Sequence, residues 1–153
     1  MGLWDWALEV YARQPVAAAC LHLQDAHGQN VPYLLWAAWM AREGRSADLK
    51  DAAGLMRRWD AEIGAPLRGV RRALKAPRPP VDDAAKEALR DAIKAVELRG
   101  ERLLMESLEA LSAPSGATVS VLDGLVAAAA ASGDPPRRAA LEKLASALEK
   151  PFG

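Results

Sequence analysis

Between the proline-rich "PRPP" at 77–80 and the turn "SAPSG" at 112–116 lies a stretch, residues 83–111, with no proline and a single glycine. Its apolar residues Leu89, Ile93, Val96, Leu103, Leu104, Leu108 and Leu111 keep three-to-four spacing. That pattern predicts one amphipathic helix about 44 Å long at ~1.5 Å per residue, with a single stripe facing inward. Glu and Lys/Arg alternate opposite the stripe, as on a solvated face, and Asp82 or Asp83 is placed to cap the start. A rod of this kind cannot bury its stripe alone. The rest of the chain must supply the packing partners.

Those partners read as further helices. The first is predicted from Leu3 to Arg13, stopping before Pro15, because a residue preceding proline avoids the α region. The second starts near Pro15 and ends at Gly28, a left-handed C-cap. Asn30 caps a third, "VPYLLWAAWMARE", which runs to Gly44; Ser46 opens a fourth, which Gly64 closes. A short fifth spans Ala65 to Ala76. After the long helix, two more are expected at about Thr118–Ala131 and Pro135–Lys150, joined by "SGDPP". No strand-like alternation and no internal repeat appear. The fold class is therefore all-α, a compact multi-helix bundle of about seven to eight helices.

At 153 residues the chain suits a single helical domain. Residues 1–76 supply tryptophan-rich core helices, 77–81 a proline-rich break, 82–112 the long helix, and 117–150 an alanine-rich helical hairpin. All five tryptophans (Trp4, Trp6, Trp36, Trp39, Trp59) and both tyrosines lie in the first 59 residues; Phe152 alone comes later. Large rings dominate core energetics, so the rigid core is expected in the first part. The alanine-rich end buries little area per residue. It is expected to be looser, or completed by a protein partner or a second copy.

Charge narrows the function classes. Lys plus Arg and Asp plus Glu number 20 each, so no net field draws the molecule onto nucleic acid or an anionic membrane. The longest apolar run, Val31 to Ala41, spans only about 17 Å as a helix, short of a membrane span. The opening "MGLWDWALEV" lacks the basic segment of a secretory signal, so a cytoplasmic location is expected. One cysteine, Cys20, precludes an internal disulfide and a multi-cysteine zinc site.

"CLHLQDAHGQNVPYLLWAAWM", residues 20–40, holds both histidines. His22 and Asp25 share a helix face, but His27 lies roughly 140–200° away at ~100° per residue. Neither a metal nor another cofactor is expected. Cys20 and His27 sit ~10 Å apart along the axis, too far for direct proton transfer, and no catalytic residue is assigned. Two readings of the polar cluster stand. In one, Asp25 and His27 answer backbone groups around the Gly28 turn while Asn30 caps the next helix. In the other, Gln24, Asp25, His27 and Asn30 beside Trp36 contact a ligand or partner, because a polar cluster at an aromatic rim makes a pocket.

The same region carries a resemblance. "LWDWALEVYARQPVAAACLHLQDAHGQNVPYLLWAAWMA" resembles the opening of a family of short proteobacterial proteins of unknown function. The pattern is an early Trp, Cys-Leu-x-Leu-Gln-Asp-x-His-Gly-x-(Asn/Asp)-Val, then a Leu-Leu-Trp-like helix. Cys20, Leu21, Leu23, Gln24, Asp25, His27, Gly28, Asn30 and Val31 match it. The likeness covers about residues 3–45, with a weaker echo in "PLRGVRRALK" and the long helix. It implies a bacterial cytosolic helical protein and carries over no catalytic role.

A second candidate surface lies in "APLRGVRRALKAPRPP". Arg68, Arg71, Arg72 and Lys75 fall at i, i+3, i+4 and i+7, one face of a helix. Residues 50–80 hold eight basic and three acidic residues, a local +5, whereas 81–112 hold five and eight, a local −3. The strip either binds an anion such as nucleic-acid phosphate or packs against the acidic long helix. No aromatics interleave it for base stacking, so nucleic acid is the less favoured partner. The sequence thus points first to a non-enzymatic interaction or adaptor protein. A small-molecule-binding protein or enzyme using Gln24, Asp25, His27 and Asn30 comes second, and weak anion binding by the basic helix third.

Overall fold

The computed structural model describes residues 1–133, 135 and 137–150. Among these the chain forms eight α-helices: α1 (Leu3–Tyr11), α2 (Gln14–His27), α3 (Val31–Glu43), α4 (Leu49–Trp59), α5 (Ala65–Ala73), α6 (Asp83–Leu111), α7 (Val121–Ala131) and α8 (Arg138–Glu149). A π-helical turn, Asp60–Gly64, joins α4 to α5 without a break. The all-α multi-helix reading holds. No helix among the described residues is long and apolar enough to cross a membrane.

The central element is α3. Every residue from Val31 to Met40 is buried, and a helix apolar all round has to be enclosed on every side. α7 lies along it, α6 and α1 pack beside it, and α2 pairs with α8 on the outside. The Tyr33 hydroxyl donates to the Ala128 carbonyl at 2.8 Å, and the Tyr33 ring stacks on Trp36 at 5.7 Å between centroids. Two-residue strands β1 (Arg45–Ser46) and β2 (Ala113–Pro114) pair antiparallel, joining the segment after α3 to the segment after α6. Arg45 reinforces that join, covering the Trp39 ring and donating to the Ser112 carbonyl at 2.9 Å.

Local signals set most boundaries. Gly28 takes φ 61°, the left-handed conformation that lets its N–H and that of Gln29 return to the Gln24 and Leu23 carbonyls. Side chains of Asn30, Asp48, Asp82 and Ser120 accept first-turn N–H groups of α3, α4, α6 and α7.

Several expectations are corrected. Ser46 does not open α4; it sits in β1, and Asp48 is the cap. Gly64 does not close a helix, because the π turn carries the backbone on into α5. The long-helix stripe is not one face. Leu104 and Leu108 are buried, but Leu89, Val96, Leu103 and Leu111 are exposed. The predicted set merged two rows: at 100° per residue Leu103 stands well away from Leu104, and the seven-residue series 89, 96, 103 runs down the outer side.

The alanine-rich end is not loose. Leu125, Ala128 and Ala129 of α7 and Ala140, Leu141, Leu144, Ala145, Ala147 and Leu148 of α8 join one hydrophobic cluster with the tryptophan-rich helices. Small side chains here let helices come close instead of leaving them unpacked. Of the "SGDPP" turn, residues 134 and 136 lie outside the described residues, as does Phe152; Pro135 is not helical, and α8 begins only at Arg138.

Candidate functional site

Where the α2–α3 turn, the π turn, α5 and the middle of α6 meet, they enclose a cleft of about 210 Å³. The turn supplies Gln24, Gln29 and Asn30; the start of α3 adds Val31 and Pro32. Trp59, Ile63, Leu67 and Leu104 make an apolar side, and Asp60, Arg68, Arg72, Glu97 and Glu101 a charged one. Gly100 faces this space, and a Cβ there would lie 3.9 Å from the Trp59 ring. A glycine inside a helix costs about 1 kcal/mol against alanine, and here it leaves the cleft floor open.

Ion pairs hold the wall. Arg71 donates to Glu97 at 2.7 Å and so ties α5 to α6. Arg68 donates to Asp60 at 2.8 Å across the π turn. Gly64 permits that contact, since a Cβ there would come within 2.8 Å of the same Asp60 oxygen. The buried ammonium of Lys86 donates to the Leu74 and Ala76 carbonyls at 2.8 and 3.1 Å, fixing the far end of α5 to α6. Arg72 stays exposed, with Asp25 3.9 Å away and equally exposed, a pair of little energetic weight.

Two groups lack such compensation. The Gln29 side chain is buried, the residue only 5% exposed, and its amide Nε2 has no partner. An orphaned buried donor costs about 1–3 kcal/mol, which a ligand acceptor would recover. Glu101 keeps one flank open to solvent, yet the protein packed about its carboxyl dominates. Burial pushes its pKa up to about 7; Glu97 adds to the rise, and Arg68 and Arg71 oppose it. Tyr11 on α1 is raised too, by burial first and then by the charges of Cys20, Glu101 and Asp25.

The two sequence-level candidate surfaces divide. Gln24, Asn30, Arg68 and Arg72 come together in the cleft. Trp36 does not; it is fully buried in the core, and Trp59 provides the ring at the cleft instead. Neither Asp25 nor His27 caps the turn: backbone N–H groups and Asn30 do that, while Asp25 turns toward Arg72. The imidazoles do not point apart either. His22 and His27 meet edge to face at 5.1 Å, because the angular offset applies at Cα and both rings extend beyond it. Among the described residues no group of three His, Cys, Asp or Glu could hold a metal ion.

The basic strip is also broken up. Arg68 and Arg71 are engaged by carboxylates, leaving Arg72 and Lys75 exposed. Gln29, Trp59, Asp60, Glu97 and Glu101 were not among the predicted site residues. A signal for two of them existed in Gly100, an interior helix glycine flanked by Glu97 and Glu101.

A family model matches residues 2–108, over half the chain. The chain belongs to the family described as "Protein of unknown function (DUF2390)". In this DUF2390 protein the matched span holds every residue of the cleft and leaves out α7 and α8. No curated protein and no solved structure matches the chain.

Proposed function

We propose that this DUF2390 protein is a small-molecule-binding helical domain whose ligand occupies the cleft between the α2–α3 turn, α5 and α6. One observation carries the reading. Two polar clusters far apart in sequence converge on a concave, partly apolar space beside a buried amide donor that no protein group satisfies. The ion pairs Arg68–Asp60 and Arg71–Glu97 form the wall without a ligand, so the site is largely built before binding. The resemblance of residues 20–31 supports a bacterial cytosolic setting for this role.

The test is a metabolite library of mixed charge, screened by the indole N–H resonance of Trp59, assigned with Trp59→Phe. Ligands are expected to move that resonance and to do so less in Arg72→Ala. If no compound of any charge shifts Trp59 while the spectrum stays that of a folded protein, the cleft is not a binding site.

A second reading, an interaction protein, is favoured by the outer side of α6. Leu89, Val96 and Leu103 are 51%, 44% and 54% exposed at seven-residue spacing, the repeat of a helix–helix seam. At 100° per residue these three side chains fall within about 40° of one another, a narrow apolar strip facing solvent. A second copy of this chain, presenting the same seven-residue strip, is the occupant in this reading, making it a homodimer. Sedimentation should then show a dimer that Val96→Lys converts to monomer; a monomer at high concentration rejects it.

A further inference from the structure

We infer that the ligand is a small monocarboxylic acid with an apolar body, bound together with one proton held at Glu101. This rests on the cleft-binding reading above and adds the chemical class. The positive end of α3, a helix of 13 residues, opens onto the cleft. Of its first N–H groups, that of Tyr33 is taken by Asn30 and Pro32 has none, so Val31 keeps one for an outside acceptor. A helix start alone selects nothing. Beside it, however, the buried Gln29 amide donor has no partner, and Arg72 supplies a guanidinium committed only to a loose, exposed contact with Asp25. Three donors thus line one cleft, two of them without an acceptor and the third with only a loose one.

Charge matching sets the valence. Arg68 and Asp60 cancel, as do Arg71 and Glu97. That leaves Arg72 against Glu101 on the cleft wall, with Asp25 at its outer edge and Tyr11 approaching Glu101 from α1. With Glu101 charged, Arg72 stands against two carboxylates, a remainder of −1 that repels an entering carboxylate. With Glu101 protonated, Arg72 and Asp25 balance, and the opposing charge inside the cleft is gone. The ligand carboxylate can then take the place of the loosely held Asp25 on Arg72, and the acid's hydroxyl can donate to the ligand. A dianion such as phosphate would face Asp60, Glu97 and Glu101 with too few free cations. Trp59, Ile63, Leu67 and Leu104 then meet the hydrocarbon part.

The experiment titrates benzoate, benzamide and benzylamine against the full chain, following the Trp59 indole resonance from pH 6 to pH 8. Benzoate alone of the three is expected to bind. If binding requires a proton on a group with a pKa of about 7, affinity should be about tenfold higher at pH 6 than at pH 8. Glu101→Gln, a neutral stand-in for the protonated acid, should keep benzoate binding and lose the slope; Arg72→Ala should weaken benzoate without altering the fold. Failure of benzoate to bind, or benzamide binding as tightly, overturns the carboxylate assignment. An unchanged slope in Glu101→Gln overturns the proton linkage. If benzylamine or benzamide shifts Trp59 where benzoate does not, the cleft remains a ligand site and only its assigned chemistry fails.

Discussion

Leu144→Ala and Leu89→Ala form a matched pair that separates the packing of this chain from the pattern of its sequence. Leu144 lies on α8 in the alanine-rich end and is fully buried; Leu89 lies on the long helix and is half exposed. Truncating a fully buried leucine costs about 2.7–5.0 kcal/mol, more where neighbours cannot collapse into the space. Around Leu144 several buried neighbours on the same helix are alanines, with no rotamers to swing inward. The upper part of the range, about 3–5 kcal/mol, is therefore expected. For a domain of this size that lowers Tm by roughly 6–20 °C, at about 2–4 °C per kcal/mol. Leu89→Ala removes atoms already half in water and should cost less than about 1 kcal/mol. Urea unfolding followed by tryptophan fluorescence and by far-ultraviolet circular dichroism reads both quantities. Because α7 and α8 share one hydrophobic cluster with the tryptophan helices, the two signals should move together in Leu144→Ala. A loss below about 1 kcal/mol, or a shift in dichroism with the fluorescence transition in place, would refute the reasoning.

Three further outcomes follow. Tyr33→Phe removes the 2.8 Å hydrogen bond to Ala128, but that carbonyl also accepts the Ser132 N–H, so the cost in chemical denaturation should stay near 1 kcal/mol. Cys20 is buried and its thiol is pushed up to about 12, so iodoacetamide at pH 8 should spare the native protein and label it rapidly in urea. Glu101 has its pKa raised from an ordinary 4.5 to about 7, so the folded state holds the proton more tightly than the unfolded chain. Its contribution to stability should accordingly fall as pH rises from about 4.5 through 7, a slope that Glu101→Gln removes and that parallel wild-type and variant melts would reveal.

What could be read from the chain was local. The Gly28 turn and the Asn30 cap were legible because their chemistry lies within a few residues. The role of the alanine-rich end was not, because alanine contributes little area alone and its value depends on how closely another helix approaches. The long helix was legible in extent and not in orientation, since Ile93, Leu104 and Leu108 belong to one row and Leu89, Val96 and Leu103 to another. Half of the cleft was legible as two polar clusters, Gln24 with Asn30 and Arg68 with Arg72. Their convergence was not, because it requires α6 to bring Glu97 and Glu101 beneath them. Trp59 went unplaced for the same reason.

The π turn joins two segments of one continuous rod. In it the Ala65 N–H reaches the Asp60 carbonyl, one residue farther back than in an α-helix. Excising a single residue there, Ala61 for instance, would force ordinary helix through Pro66, which has no N–H to donate and whose ring crowds the carbonyl four residues back. The phase downstream would change little, because the π turn takes up its extra residue within one turn. A deletion in the regular helix beyond it, Leu67 for instance, would instead rotate Arg68 and Arg72 by about 100° off their wall. That second deletion would yield a chain with near-normal helical content and an empty grip, so the register of α5 after the turn is where a one-residue change does most harm.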